Sequence, residues 1–102
     1  MSEVEHPIRW VIDAEKDLRE ILDYIGQDRP MAATLLAARL EEGLGHLSMN
    51  PRMGRTLRGD SPVPKDFRYL IVEDYLVFYK FDGHLIRIHR ILHGAHDYRS
   101  LL

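Results

Sequence analysis

The sequence predicts an α+β domain in which a helical hairpin packs on one face of an antiparallel sheet, in the order β-α-α-β-β-β. Residues 67–92 contain three runs rich in β-branched and aromatic residues, separated by two short polar steps, which indicates an antiparallel meander. Apolar residues between positions 13 and 47 recur at helical spacing. Residues 8–12 alternate as in a short strand with one buried face.

Length and composition indicate a single domain over residues 1–102 and exclude several classes of protein. Hydrophobic residues make up 45% and charged residues 29% of the chain, an ordinary balance for a globular domain. No apolar run approaches the roughly 18 residues of a membrane span, and no signal-peptide pattern opens the chain. Because cysteine is absent, disulfides and thiolate metal sites are excluded. We expect a cytoplasmic protein without membrane association or cofactor.

The charges are distributed unevenly along the chain. Residues 1–50 contain five Lys/Arg and ten Asp/Glu, a net charge of −5, whereas residues 51–102 contain nine and six, a net charge of +3. Two interpretations stay open. The basic half could bind an acidic partner, or the helices could simply carry solvated carboxylates.

The chain begins with a polar segment, residues 1–6, that we expect to be disordered. In the strand that follows, Ile8, Trp10 and Ile12 share one side, which we predict to be buried.

Two helices follow this strand. Asp13 is a favourable N-cap for the first helix, and Gly26 is a favourable C-terminal stop. Pro30 opens the second helix at its first turn. A connection of about four residues favours antiparallel packing of the pair. The apolar stripes consist of Leu18, Ile21, Leu22 and Ile25 in the first helix and Ala33, Leu36, Ala37, Leu40, Leu44 and Leu47 in the second.

Residues 48–66 form a long irregular connection with several Pro and Gly breakers. A connection of this length within a small domain is more often functional than not. Its basic residues are Arg52, Arg55, Arg58 and Lys65.

The meander has turn signals at positions 73–74 and 82–83, the second an Asp-Gly pair. If both turns have two residues, Leu70 faces Val77, Val77 faces Ile88, and Tyr79 faces Ile86. We expect the helices to cover the face formed by Arg68, Leu70, Val77, Tyr79, Ile86 and Ile88. The opposite face, suited to a partner, is formed by Tyr69, Ile71, Leu76, Phe78, Arg87 and His89.

The C-terminal tail, residues 93–102, brings several groups that could transfer protons to one end of the sheet. A histidine with a pKa near neutrality and nearby arginines could cleave RNA by activating a 2′-hydroxyl. A polar chain end with histidines bonded to backbone explains the same residues. The candidates are His93, His96, Asp97 and Tyr98, with Arg68, Arg90 and Arg99 nearby. His89, His93 and His96 share no common geometry that would predict a metal site.

Six short patterns, in order and at similar spacing, resemble the RelE/ParE toxin superfamily of bacterial type II toxin–antitoxin pairs. They cover nearly the whole chain. They are Ala14-x-x-Asp17-Leu18-x-x-Ile21-x-x-Tyr24-Ile25, Pro30-x-Ala32-Ala33, Leu47-x-x-x-Pro51-x-x-Gly54-Arg55, Phe67-Arg68-Tyr69-Leu70, Tyr75-Leu76-Val77-Phe78-Tyr79 and Ile88-His89-Arg90-Ile91-Leu92-His93-Gly94.

The resemblance implies one of two activities. ParE-like members inhibit DNA gyrase, and RelE-like members cut messenger RNA on the ribosome. Arg68 could stand for one lysine of the RelE type, but Leu70 occupies the position of the other, and Leu76 occupies that of an arginine. The YafQ type uses an aspartate and histidines, which Asp74 and His96 could match, although Ile71 replaces a strand histidine. The ending HGAHDYRSLL resembles tails of ParE-like proteins.

The resemblance therefore favours a ParE-like toxin that binds gyrase without catalysis and is neutralised by a cognate ParD/RelB-like, DNA-binding antitoxin in a hetero-oligomer. The alternative is a ribosome-dependent ribonuclease that uses His96, Arg68, Asp74 and Tyr98. A third possibility is a former toxin that serves only as an antitoxin-bound corepressor. The residues expected to bind antitoxin or target are Arg52, Arg55, Arg58, Arg68, Arg87, His89 and His93.

Overall fold

Two helices pack on one face of a five-stranded sheet, as the sequence predicts. The computed structural model describes residues 4–57 and 66–94. The elements are β1 (Ile8–Trp10), α1 (Ile12–Asp28), α2 (Pro30–Met49), β2 (Arg55–Thr56), β3 (Arg68–Val72), β4 (Tyr75–Phe81) and β5 (Ile86–His93). The short strand β2, within the predicted irregular connection, is the one addition to the predicted order.

The sheet is mixed rather than wholly antiparallel. Its strand order is β1-β5-β4-β3-β2, and β1 runs parallel to β5 while the other pairs are antiparallel. The predicted edge position of β1 is confirmed. Its direction follows from the path of the chain, since the Val11 N–H donates to the Ile88 carbonyl as the backbone turns into α1. The His6 N–H donates to the Ser48 carbonyl, so the predicted disorder of residues 1–6 is wrong at His6.

The predicted register is correct for one hairpin and wrong for the other. Leu70 pairs with Val77 as predicted, but Phe81 pairs with Ile86 across a four-residue loop. An Asp82 carboxylate oxygen accepts the N–H groups of both His84 and Leu85 at 2.8 Å, which stabilises this longer loop. The shift of two residues preserves the predicted faces. A bulge between Phe78 and Tyr79 then displaces the pairing once more.

The helix limits differ slightly from the predicted ones. Helix α1 begins at Ile12, so Asp13 lies in its first turn instead of capping it, and Ile12 is exposed instead of buried. Gly26 lies within α1, where a Cβ would be 3.8 Å from that of Ala33, an ordinary contact between close helices. A single residue, Arg29, joins the helices, and Pro30 opens α2 as predicted.

The main core lies between the helices and the sheet. The buried residues from the helices include Leu36, Leu40 and Leu47, and Tyr79, Ile86 and Ile88 lie opposite in the sheet. A second cluster, formed by Phe67, Phe78 and Leu92, lies on the other face, which we call the outer face. Among the described residues, neither helix has the length and hydropathy that crossing a membrane requires.

Candidate functional site

The loop of residues 50–54 connects α2 to β2 and carries Arg52, and we call it the fastened loop. One buried hydroxyl attaches it to the sheet. The Tyr79 hydroxyl donates to the Pro51 carbonyl at 2.7 Å and accepts the Gly54 N–H at 2.9 Å. Tyr79 is fully buried, and this desolvation is the main cause that raises the pKa of its phenol. A side chain at position 54 would place Cβ only 2.4 Å from this hydroxyl oxygen, so the approach requires glycine.

Arg68 fastens the same loop from the neighbouring strand. One guanidinium nitrogen donates to the carbonyls of Arg52 and Gly54, both at 3.0 Å. The sequence assigned Arg68 a role in binding a partner or a phosphate. In the structure, two of the five N–H donors of its guanidinium bind the protein's own backbone, which gives Arg68 a role in positioning the loop.

Two of the predicted binding arginines lie here: Arg52 in the fastened loop, and Arg55 in strand β2, which follows it. The guanidinium of Arg52 lies 4.9 Å from the centre of the Phe81 ring, a cation–π distance. Arg55 is exposed and pairs with Tyr69, whose ring lies beside that of Phe78 on the outer face. Arg58 and Lys65 lie outside the described residues.

Arg87 and His89 lie on the outer face of β5, as predicted. Arg87 is half-exposed and lies 3.6 Å from Asp82. The His89 ring packs edge-on against Phe67, with 5.0 Å between ring centres, and its buried Nε2 finds no hydrogen-bond partner among the described residues. Desolvation first, and then the charges of Lys80 and Arg87, lower the pKa of His89. Both effects favour the neutral form of the imidazole.

His93 lies at the far end of β5, beside an open groove between α1 and the sheet. Its ring contacts Tyr75 edge-on at 5.3 Å. The groove has a volume of about 600 Å³, and the exposed Tyr24 and the partly buried Ile21 contribute to its apolar lining. The seven predicted binding residues therefore do not form one site. Those within the described ranges lie at the loop, on the outer face and at this groove.

An ion pair forms one wall of the groove. Both oxygens of Asp17 accept hydrogen bonds from the Arg90 guanidinium, at 2.7 and 3.0 Å, and one also accepts the Ile91 N–H at 3.0 Å. Burial of both side chains is substantial, at 12% exposed for Asp17 and 23% for Arg90. The bond to Asp17 is the main cause that raises the pKa of Arg90. The sequence contained both residues within family-like patterns but gave no signal that they meet.

The predicted ribonuclease residues are only partly described, and the two that are described, Arg68 and Asp74, are far apart. Arg68 opens β3, and Asp74 lies in the turn beyond its other end. The extended strand between them, Arg68–Val72, is by itself about 13 Å long. Strand β5 ends beside Asp74, where the Gly94 N–H donates to the Asp74 carbonyl. His96, Asp97, Tyr98 and Arg99 lie outside the described residues.

Leu70, Ile71 and Leu76 occupy the three positions at which a ribonuclease was expected to have lysine, histidine and arginine, and their apolar side chains carry no charge. Leu70 packs against the main core, Leu76 packs against the outer cluster, and Ile71 is half-exposed. Within residues 4–57 and 66–94, no group of three His, Asp or Glu side chains is arranged to bind a metal ion.

A family model and a sequence relative match most of the chain. Residues 8–98 match the model described as "ParE toxin of type II toxin-antitoxin system, parDE". A protein named Toxin RelE2 from Caulobacter vibrioides is 36% identical over 90 residues, which cover 84% of this chain and 92% of that protein.

Solved toxin–antitoxin structures share the fold. A chain of the chromosomal ParDE system from P. aeruginosa aligns with a TM-score of 0.70 at 23% identity, covering 87% of this chain and 96% of that one. A chain of the RelBE2 complex from Mycobacterium tuberculosis aligns at 0.64 with 26% identity, covering 93% and 98%. A chain of the E. coli DinJ-YafQ complex aligns at 0.57 with 22% identity, covering 90% and 96%.

Proposed function

The chain belongs to the ParE toxin family of type II toxin–antitoxin systems, and we propose that it arrests growth by binding DNA gyrase rather than by cutting RNA. The observation that supports this most directly is the state of Arg68. A ribonuclease needs a cation free to stabilise charge on the scissile phosphate. The guanidinium of Arg68 is bonded to two loop carbonyls and lies at the opposite end of β3 from Asp74.

The fastened loop is the surface that we assign to the gyrase contact. Arg52 and Arg55 project from a backbone that Tyr79 and Arg68 hold in one conformation. Because this backbone is ordered before binding, less conformational entropy is lost when a target contacts it. Arg58, in the same connection, is proposed to extend this basic surface.

We assign the antitoxin's helix to the groove beside His93. Two structural relatives come from toxin–antitoxin complexes, and a cognate antitoxin is the corresponding partner here. The open apolar lining from Ile21, Tyr24 and Tyr75 suits an amphipathic helix laid into a groove. The exposed carboxylate of Glu20, which lines the groove, would favour a basic residue on that helix.

An RNA-cutting activity is the second candidate, because the relative at 36% identity is named Toxin RelE2 and a structural relative is a YafQ complex. It would use His96 and Tyr98 together with Asp74. Arg68 would contribute only if it left the loop carbonyls.

One pair of assays separates the two candidates. The purified chain is added to gyrase supercoiling reactions and, separately, to ribosomes translating a defined messenger RNA. We expect inhibited supercoiling and an intact message. The double variant Arg52→Ala/Arg55→Ala should weaken inhibition about tenfold, because it removes two charged contacts, whereas Arg39→Ala on the exposed side of α2 should not. Codon-positioned cuts that His96→Ala abolishes, with normal supercoiling, would refute the gyrase proposal.

A further inference from the structure

The outer face of the sheet carries a row of three cations from three neighbouring strands. Arg9 on β1 lies opposite Arg87 on β5, and Arg87 lies opposite Lys80 on β4. Residues directly opposite on neighbouring strands have side chains on the same face, about 5 Å apart. We call Arg9, Arg87 and Lys80 the cationic row.

Strand alternation fixes the face on which the row lies. Ile86 and Ile88, on either side of Arg87, are buried in the main core under the helices. Arg87 therefore points to the outer face, and so does Arg9, its partner on β1. The Lys80 ammonium lies 4.6 Å from the centre of the Phe67 ring, which belongs to the outer cluster.

The charges of the row are incompletely neutralised. Asp82 lies 3.6 Å from Arg87, and Asp66 lies 3.3 Å from Lys80, and in both pairs the side chains are well exposed. Exposed ion pairs of this kind are weak because water screens them. Arg9 is exposed and forms no ion pair with any residue in the described ranges.

Like charges directly opposite on neighbouring strands destabilise a sheet. Solvated side chains could tolerate this arrangement, but solvation alone does not explain why three cations lie in one row beside the partly buried His89. The neighbouring His89 responds to the same positive potential, since Lys80 and Arg87 both contribute to its lowered pKa after desolvation. An anion that bridges the row would remove this repulsion and form charge-assisted hydrogen bonds with the guanidinium groups.

We propose that the cationic row binds the carboxylates of an extended acidic segment of the antitoxin. The row is only three side chains wide, and the carboxylates of Asp66 and Asp82 lie beside it. A row of three cations flanked by carboxylates matches a few separate carboxylates better than the continuous phosphates of a nucleic acid, and a net charge of −2 is not typical of a nucleic-acid-binding domain. The row extends about 10 Å across three strands, and an extended peptide presents alternate side chains about 6.6 Å apart, so two of its carboxylates fit within the length of the row. The antitoxin as partner rests on the proposed function, whereas the location of the anion site does not.

The test uses the full-length chain and a fluorescein-labelled peptide of five Glu-Ser repeats, followed by fluorescence anisotropy. A peptide of five Gln-Ser repeats has the same length without the charge. The variant Arg9→Ala/Arg87→Ala removes two members of the row. The control Arg19→Ala/Arg39→Ala removes two exposed arginines from the helices, with the same change in net charge. Near-ultraviolet circular dichroism confirms that each variant is folded.

We expect the Glu-Ser peptide to bind and the row variant to raise its Kd about tenfold, as two exposed ion pairs would. The control should change it less than twofold, and the purified complex with antitoxin should not bind the peptide.

Equal losses in the two variants, or equal binding of the Gln-Ser peptide, would overturn the proposal. The proposal would also fail if a DNA duplex of 20 base pairs bound more tightly than the peptide and the row variant weakened that binding, because the partner would then be a nucleic acid. Peptide binding by the antitoxin complex would overturn the assignment of the row to the antitoxin. None of these measurements uses gyrase, so their outcome does not depend on whether the chain inhibits gyrase.

Discussion

Asp17 on α1 forms two hydrogen bonds with the guanidinium of Arg90 on β5, and a third with the Ile91 N–H, so one carboxylate joins the first helix to the last strand. Strand β1 covers β5 only as far as Ile88. Asp17 therefore satisfies an edge N–H immediately beyond the point where strand pairing ends. The ion pair also forms the wall of the groove that we assign to the antitoxin.

Replacing Asp17 with alanine should lower the free energy of unfolding by about 2–4 kcal/mol, because Arg90 and the Ile91 N–H would be left partly buried without their acceptor. Urea denaturation measures this difference. The control is Asp13→Ala in the exposed first turn of the same helix, which should lose less than about 1 kcal/mol. Similar losses in the two variants would show that the ion pair adds nothing beyond a helix carboxylate.

Replacing Tyr79 with phenylalanine should loosen the loop that carries Arg52, which Arg68 would still hold, while keeping the core filled. The Gly54 N–H and the Pro51 carbonyl lose their shared partner, and we expect a loss of about 1–3 kcal/mol in the free energy of unfolding. Amide hydrogen exchange at Gly54 should accelerate more than exchange in β4. Tyr69→Phe on the neighbouring strand is the matched control. Unchanged protection at Gly54 would contradict the proposed role of the hydroxyl.

Two glycine-to-alanine substitutions should have opposite effects. Gly54→Ala would place Cβ 2.4 Å from the Tyr79 hydroxyl oxygen and should destabilise the protein. Gly45 lies in helix α2, where an added methyl group would meet no atom within 4 Å, so Gly45→Ala should stabilise the protein by about 0.5–1 kcal/mol. Thermal unfolding of both variants measures the contrast. Stabilisation by Gly54→Ala would refute the close approach of loop and strand.

His89 should contribute to the dependence of stability on pH. Its pKa in the folded protein lies below the ordinary 6.5, so the unfolded chain binds a proton first as the pH falls. Stability is then lost as the pH falls from about 6.5 toward the folded pKa. His89→Gln should reduce the loss of unfolding free energy between pH 7.5 and 5.5, measured by urea titration at both values. An equal loss of unfolding free energy over this pH range in the wild type and in His89→Gln would contradict this role.

Local patterns in the sequence were sufficient to predict both helices, every described strand except β2, and most of the faces that these elements bury. The helical stripes ending at Ile25 and Leu47, the β3–β4 hairpin and the buried side of the meander follow from periodicity and turn residues, because both record which way each side chain points along its own element. The order of short patterns also indicated the family, which the matches to known toxins confirm.

Contacts between distant segments, in contrast, emerged only from the folded arrangement of the chain. Asp17 and Arg90 are 73 positions apart, Gly54 and Tyr79 are 25 apart, and Arg9 and Arg87 belong to the first and last strands. Periodicity assigns a residue to a face but does not identify the partner that reaches that face from a distant segment. For the same reason the direction of β1, the longer β4–β5 loop and the use of Arg68 to hold a loop depended on packing, where long-range contacts determine the final arrangement.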